Sequence, residues 1–132
     1  AHSAARAIEK VERENEISIA HYDMRFLKPL DTEMLHEIAS NFKQIVTIED
    51  GVINGGFGSA VLEFMADNNY KLNVKRLGIN DTFVEHGTPE QLYNMLGLDI
   101  EGIAKSLLEY INIQKHKIDF ELAEQHIKVK TK

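Results

Sequence analysis

Ala1, Ala4, Ala5, Ile8 and Val11 recur at helical spacing, with Arg6, Glu9, Lys10 and Glu12 between them. The pattern predicts an amphipathic opening helix that ends near Glu14–Asn15. Ile17 to Tyr22 then alternates and is rich in strand formers, which predicts a strand. Pro29 closes that stretch, and Asp31 is placed to cap a helix whose apolar face is Met34, Leu35, Ile38 and Ala39. Ile45-Val46-Thr47-Ile48 is a short continuous run of the kind found in strands buried on both faces. A loop from Glu49 to Gly56 leads into a helix carrying Phe57, Ala60, Val61, Phe64 and Met65 on one face. Leu72 to Leu77 predicts a third strand, with Lys75 and Arg76 marking it as nearer an edge.

Thr88-Pro89-Glu90-Gln91 is a strong helix start: a Thr cap, Pro at the first helical position, and Gln three residues after the cap. Gly97 ends that helix, and Asp99 caps the next, over Ile100, Ile103, Ala104, Leu107, Leu108 and Ile111. Beyond Gln114, Asp119–Gln125 reads as a helical turn and Ile127–Val129 as a short strand. Strand and helix alternate through the middle, so the expected class is α/β, a mostly parallel sheet covered by helices on both faces. The expected division is one domain over residues 1–113 and a tail over 114–132. The first residue already sits inside a helical pattern, which predicts a piece of a longer chain.

Composition narrows the chemistry. The chain has 132 residues, 43% apolar and 27% charged, an ordinary globular balance. Without cysteine it has no disulfide, thiolate metal site or cysteine nucleophile. Fifteen basic against 21 acidic residues leave a formal charge of -6, a field that repels phosphate backbones and argues against nucleic acid. The exception is Lys115–Lys132, with five lysines against three acids. No apolar run approaches a membrane span, and the expected location is cytoplasmic.

Gly55-Gly56-Phe57-Gly58-Ser59-Ala60-Val61 follows a strand and opens a helix, as a dinucleotide fingerprint does. Against G-x-G-x-x-G/A, however, Val61 stands at the third position, and Gly78 follows Leu77 where a ribose-binding acid is wanted. The plainer reading is a glycine-rich turn; its amides remain a candidate anion site at Gly55, Gly56, Gly58 and Ser59. No Lys-Ser/Thr pair follows, so this is not a P-loop, and Ser59 has no nucleophile-elbow context.

His36-Glu37 begins like a zinc-protease motif, but Ser40 stands where the second histidine belongs. His21 and Asp23 share one side of a strand, too few ligands for a good metal site. Glu49 and Asp50 end a buried strand, where open α/β sheets place ligands. They are candidates for acid/base work or cation binding, and equally for capping the glycine-loop amides or meeting a partner's Arg. Glu85-His86 is a candidate acid/base pair or a structural one. An independent enzyme built on Glu49, Asp50 and His86 therefore stays open at this point, as does a free-standing module binding an anion at Gly55–Ser59.

Three blocks carry a resemblance: Arg25-Phe26-Leu27-Lys28-Pro29-Leu30-Asp31, then Glu49-Asp50-Gly51 with Gly55-Gly56-Phe57-Gly58-Ser59-Ala60, and Phe83-Val84-Glu85-His86-Gly87. With Leu77-Gly78-Ile79 and Leu96-Gly97-Leu98-Asp99, they make the chain, to about Ile111, resemble the C-terminal domain of the 1-deoxy-D-xylulose-5-phosphate synthase family. The first block alone is shared with the wider group of transketolases and pyruvate dehydrogenase beta subunits.

The resemblance implies a three-layer α/β/α domain of the transketolase C-terminal type. It also implies a parent transferase that uses thiamine diphosphate and Mg to join pyruvate to glyceraldehyde 3-phosphate, releasing carbon dioxide. The product feeds isoprenoids, thiamine and pyridoxal phosphate. In such enzymes the cofactor is held by the upstream domains, and the family's G-D-G…N metal motif has no counterpart here. The resemblance thus implies no catalytic, cofactor or metal residue in this chain, which alone is expected to be inactive. Its partners are the upstream domains and a second copy, with Glu49, Asp50, Gly55, Gly56, Gly58, Ser59 and His86 as interface or anion contacts. It also implies a central strand before the first helix, between Ile17–Tyr22 and Ile45–Ile48, which this sequence lacks. Another copy, the tail near Ile127–Val129 or further residues of the parent are the candidates to fill that place.

Overall fold

The computed structural model describes the backbone at residues 2–81 and 86–130, with side chains over that range to 112 and again at 115, 116 and 119–121. The elements follow in the order α1 (His2–Asn15), α2 (Thr32–Asn41), β1 (Gln44–Val52), α3 (Phe57–Asp67), β2 (Asn73–Ile79), α4 (Pro89–Leu96) and α5 (Ile100–Lys130). Their limits are set by local chemistry. Asp31 Oδ1 accepts the Met34 amide at 3.0 Å and starts α2. Thr88 and Gln91 close a reciprocal capping box on α4, at 3.3 and 3.1 Å. Gly97, at φ 67°, ends that helix in a left-handed conformation. Asp99 then caps α5 through the Gly102 amide at 2.8 Å.

β1 and β2 pair in parallel, Gln44 opposite Asn73 through Ile48 opposite Leu77, and resume at Val52 opposite Ile79 after an irregularity. The period-two geometry of β1 sends its side chains to two cores. Val46 and Ile48 meet Ala7, Ile8, Val11, Ile103, Ala104 and Leu107, where α1 and α5 pack together. Ile45 meets Leu35, Ile38, Ala39, Val61 and Met65 of α2 and α3 on the other face. Helices therefore cover both faces of a parallel pair, the α/β class expected from the sequence. Lys10 reaches Glu101 at 2.6 Å, an exposed tie between α1 and α5 that adds little to their apolar contact.

Three expectations are corrected. Ile17–Tyr22 is not a hydrogen-bonded strand, because among the described residues no neighbouring strand offers it a ladder. Its burial still alternates, with Ile17 and Ile19 against the α1/α5 core and Tyr22 and Met24 against the α2/α3 core. Second, β1 runs past Ile48 to Val52, so Glu49, Asp50 and Gly51 lie within the strand. Third, α5 continues to Lys130, so 127–129 is helical rather than extended and no break falls near 113. Once Asp99 nucleates the helix, each further residue adds a hydrogen bond, and no Pro or Gly follows Gly102 to stop it. Phe83, Val84 and Glu85 lie outside the described residues.

Among the described residues Thr47 is the one buried polar residue, 4% exposed, and its Oγ1 has no hydrogen-bond partner there. Since an unpaired buried hydroxyl costs more than an apolar group of the same shape, Thr47→Val is expected to leave stability unchanged or raise it by about 1 kcal/mol. A lowered urea midpoint would show that the hydroxyl does have a partner.

Candidate functional site

The carboxyl end of β1, the loop behind it and the start of α3 bring most of the sequence candidates together. Glu49 leaves the strand on the α3 side and turns its carboxylate onto the helix start. Oε2 accepts the Phe57 amide at 2.7 Å and Oε1 the Gly58 amide at 3.0 Å. Gly56, the residue before α3, has no side chain to cap the helix, so Glu49 does so from eight residues upstream. The glycines make room for this. A Cβ on Gly56 would run into the Glu49 carboxylate and stand 2.5 Å from the Val52 carbonyl, and one on Gly58 would stand 2.6 Å from Thr47 Oγ1.

Ser59 sits one turn in. Its hydroxyl donates to the Ile53 carbonyl at 2.8 Å and accepts from the Gly55 amide at 3.0 Å. Arg76 of β2 closes the arrangement, its Nη1 donating to the same carbonyl at 2.8 Å and to Ser59 Oγ at 2.9 Å. The loop is thus tied at both sides, by Glu49 to the helix and by Ser59 and Arg76 to the strands. Gly55 itself holds φ 74°, the left-handed region that favours glycine.

Asp50 points elsewhere. Its Oδ2 accepts the Tyr93 hydroxyl at 2.6 Å, fastening α4 to the end of the sheet. The bond to the Asp50 carboxylate, and then its charge, raise the Tyr93 pKa above the usual 10.0. A group whose folded pKa is raised contributes stability below its unfolded pKa and loses it as pH rises through the folded one. The tie should therefore hold through neutral pH and fail on the alkaline side. Tyr93→Phe is expected to remove a component that titrates above the ordinary tyrosine range from the near-ultraviolet tyrosinate curve. An unchanged curve would mean the bond is not populated.

Other candidates do not join the cluster. His86 is exposed, two residues before the Thr88 cap, and its sequence partner Glu85 is not among the described residues. His36 bonds Tyr70 through Nδ1 at 2.7 Å and packs edge-on against Phe64, while Ser40 donates to the His36 carbonyl at 2.8 Å. His21 and Asp23 are exposed. No three His, Asp or Glu side chains among the described residues are grouped to hold a metal ion.

The sequence pattern marked Arg76 only as a sign of an edge strand, not as a site residue, and did not single out Tyr93. For Arg76 a signal was present: it shares the alternation of Val74 and Gly78, half-buried, while Lys75 faces solvent. Tyr93 gave none, because nothing in a short capped helix tells which tyrosine reaches a distant aspartate.

Comparison with known proteins places this geometry. Residues 1–103 match the family described as transketolase, C-terminal domain. The chain belongs to that family. The domain is 60% identical over 102 residues to the 1-deoxy-D-xylulose-5-phosphate synthase of Bacteroides fragilis, covering 77% of this chain and 16% of that protein. It is 58% identical over 107 residues to the synthase of Phocaeicola vulgatus, covering 81% of this chain and 17% of that one. The chain thus spans about a sixth of the length of these curated relatives. Among solved structures it resembles a split-gene transketolase titled as an inactive beta4 tetramer. That match has a TM-score of 0.73 and 33% identity over 82% of this chain and 35% of the other. The expected transketolase C-terminal fold is therefore the fold of this domain.

The thiamine diphosphate and Mg implied by the synthase resemblance do not fit the residues described here. The α3 amides that would meet a phosphate are held by Glu49, Arg76 and Ser59 are engaged with the Ile53 carbonyl, and no acidic group of metal-binding size is present among the described residues. No step through either group is assigned to this domain.

Proposed function

We propose that this chain is the C-terminal domain of a 1-deoxy-D-xylulose-5-phosphate synthase, that it supports the parent's dimer, and that it is inactive alone. The parent condenses pyruvate with glyceraldehyde 3-phosphate on thiamine diphosphate and Mg, in the cytoplasm, at the head of isoprenoid precursor synthesis. Identity near 60% with relatives of that name supports the parent assignment. The observation that carries the domain's role is the Glu49 carboxylate. It accepts a backbone amide on each oxygen, which makes it a brace for the start of α3.

In this reading Glu49, Ser59 and Arg76 shape the loop from within, and Asp50 to Gly55 present it outward. Val52, 46% exposed at the end of β1, is the apolar contact of that surface. His86 lies exposed on the approach to α4 and adds a polar contact at its rim. The alternative, a free-standing module holding an anion at Gly55–Ser59, requires amides that Glu49 already occupies.

Product formation from pyruvate and glyceraldehyde 3-phosphate tests the proposal, with thiamine diphosphate and Mg present. The chain is assayed alone, then mixed with the separately expressed upstream part of its parent. Silence alone with recovery on mixing is the expected result, and activity of the chain alone would overturn it.

A further inference from the structure

α4 is held to the domain differently from the other helices. None of its residues is buried, whereas α1, α2, α3 and α5 each contribute to one of the two apolar cores. Leu92 and Leu96 are half-buried, and Tyr93 and Met95 are 36% and 70% exposed. The helical form comes from the ends of the element instead: the Thr88–Gln91 capping box, Pro89 at its start and Gly97 behind it. A helix of eight residues does not persist in water on its caps alone, so what fastens α4 to the domain decides whether it stays folded.

Two attachments do so. The first is a fixed pivot behind the helix. Leu98 is 6% exposed, and its amide donates to the Tyr93 carbonyl at 2.8 Å. Asp99 accepts the Asn94 side chain at 2.9 Å while it caps α5. Gly102 lets the Gly97 backbone lie against the first turn of α5, where a Cβ would stand 2.6 Å from it. The second attachment is the Tyr93 hydroxyl, which donates to Asp50 Oδ2 at 2.6 Å. Among the described residues this is the one side-chain hydrogen bond from α4 to the sheet, and the one that the Asp50 carboxylate makes.

We propose that α4 is a releasable strap, latched to β1 by the Tyr93–Asp50 bond, whose local opening about Gly97 frees the Asp50 carboxylate while both apolar cores stay folded. Opening gives up one hydrogen bond and the partial cover of two leucines, and takes nothing from either core. The neighbouring Glu49 is engaged with the α3 amides, so Asp50 is the carboxylate that release makes available at this end of β1. Asp50 is already exposed, and with Tyr93 withdrawn it is free to meet a cationic group from outside the domain. The strap thus sets whether that charge is taken up within the domain or offered at its surface. The inference rests on the fold alone and not on the synthase reading, so the two fail separately.

Amide exchange tests it. Leu92 to Leu96 report α4, Val61 to Met65 report α3, and Ile103 to Leu107 report α5. In the unaltered chain the α4 amides are expected to exchange through a local opening, faster than those of α3 and α5. Tyr93→Phe removes only the latching hydroxyl and is expected to speed α4 exchange by about 10-fold, with α3 and α5 unchanged. Asp50→Ala should do the same, and the double variant should go no further than either single one, because both changes break one bond. Unchanged α4 rates in Tyr93→Phe would overturn the latch. So would additive effects in the double variant, which would mean that the two side chains act separately. Equal acceleration across α3, α4 and α5, or equal protection of all three in the unaltered chain, would overturn the strap as a unit that opens by itself.

Discussion

Replacing Glu49 with alanine is expected to destabilise the domain by about 3 kcal/mol, since two amides lose a charged acceptor. The bonds to Phe57 and Gly58, at 2.7 and 3.0 Å, are the side-chain cap that Gly56 cannot supply to α3. Glu49→Gln keeps one acceptor oxygen and removes the charge, so about half that loss is expected. The urea midpoint of unfolding reads both. If both variants unfold at the wild-type midpoint, water holds these amides as well as the carboxylate does, and the brace is not structural. Exchange at the Phe57 and Gly58 amides should rise in the alanine variant before the rest of α3 responds.

The other large effect falls on the opposite face. Ile103 of α5 is 1% exposed and is the largest of the fully buried side chains among the described residues. It lies among Ala7, Ile8, Val11 and Leu107, so it holds α5 to α1. Ile103→Ala is expected to cost about 3–4 kcal/mol and Ile103→Val about 1 kcal/mol, because small neighbours such as Ala7 and Ala104 cannot expand into the space left. Chemical denaturation of the two variants provides the comparison. Equal losses would contradict the packing, since the two changes remove very different volumes.

What was legible in the sequence was local. Asp31, Thr88, Gly97 and Asp99 announced helix ends because each satisfies a backbone group within three or four residues. The run Ile45–Ile48 announced a strand needing cover on both faces, and the two cores confirm that requirement. The alternation of Ile17–Tyr22 predicts a strand, and only its alternating burial is present in the structure. Pairing also needs a neighbouring strand, and among the described residues none is hydrogen-bonded to it. The tail misled for a related reason. Ile127-Lys128-Val129 has strand composition, but a helix already under way from Asp99 overrides weak local preference. At the loop, Glu49 was legible as a cap or an acid, and only distances could separate the two. Arg76 and Tyr93 act across 23 and 43 residues of sequence, beyond the reach of any spacing rule.

The central claim is that this domain holds its parent together rather than supplying chemistry. The most direct measurement is sedimentation velocity on the whole enzyme, beside a version lacking the region that matches residues 1–103. The account predicts that the intact enzyme sediments as a dimer and that the shortened one dissociates and loses turnover. A shortened enzyme that remains an active dimer would contradict it.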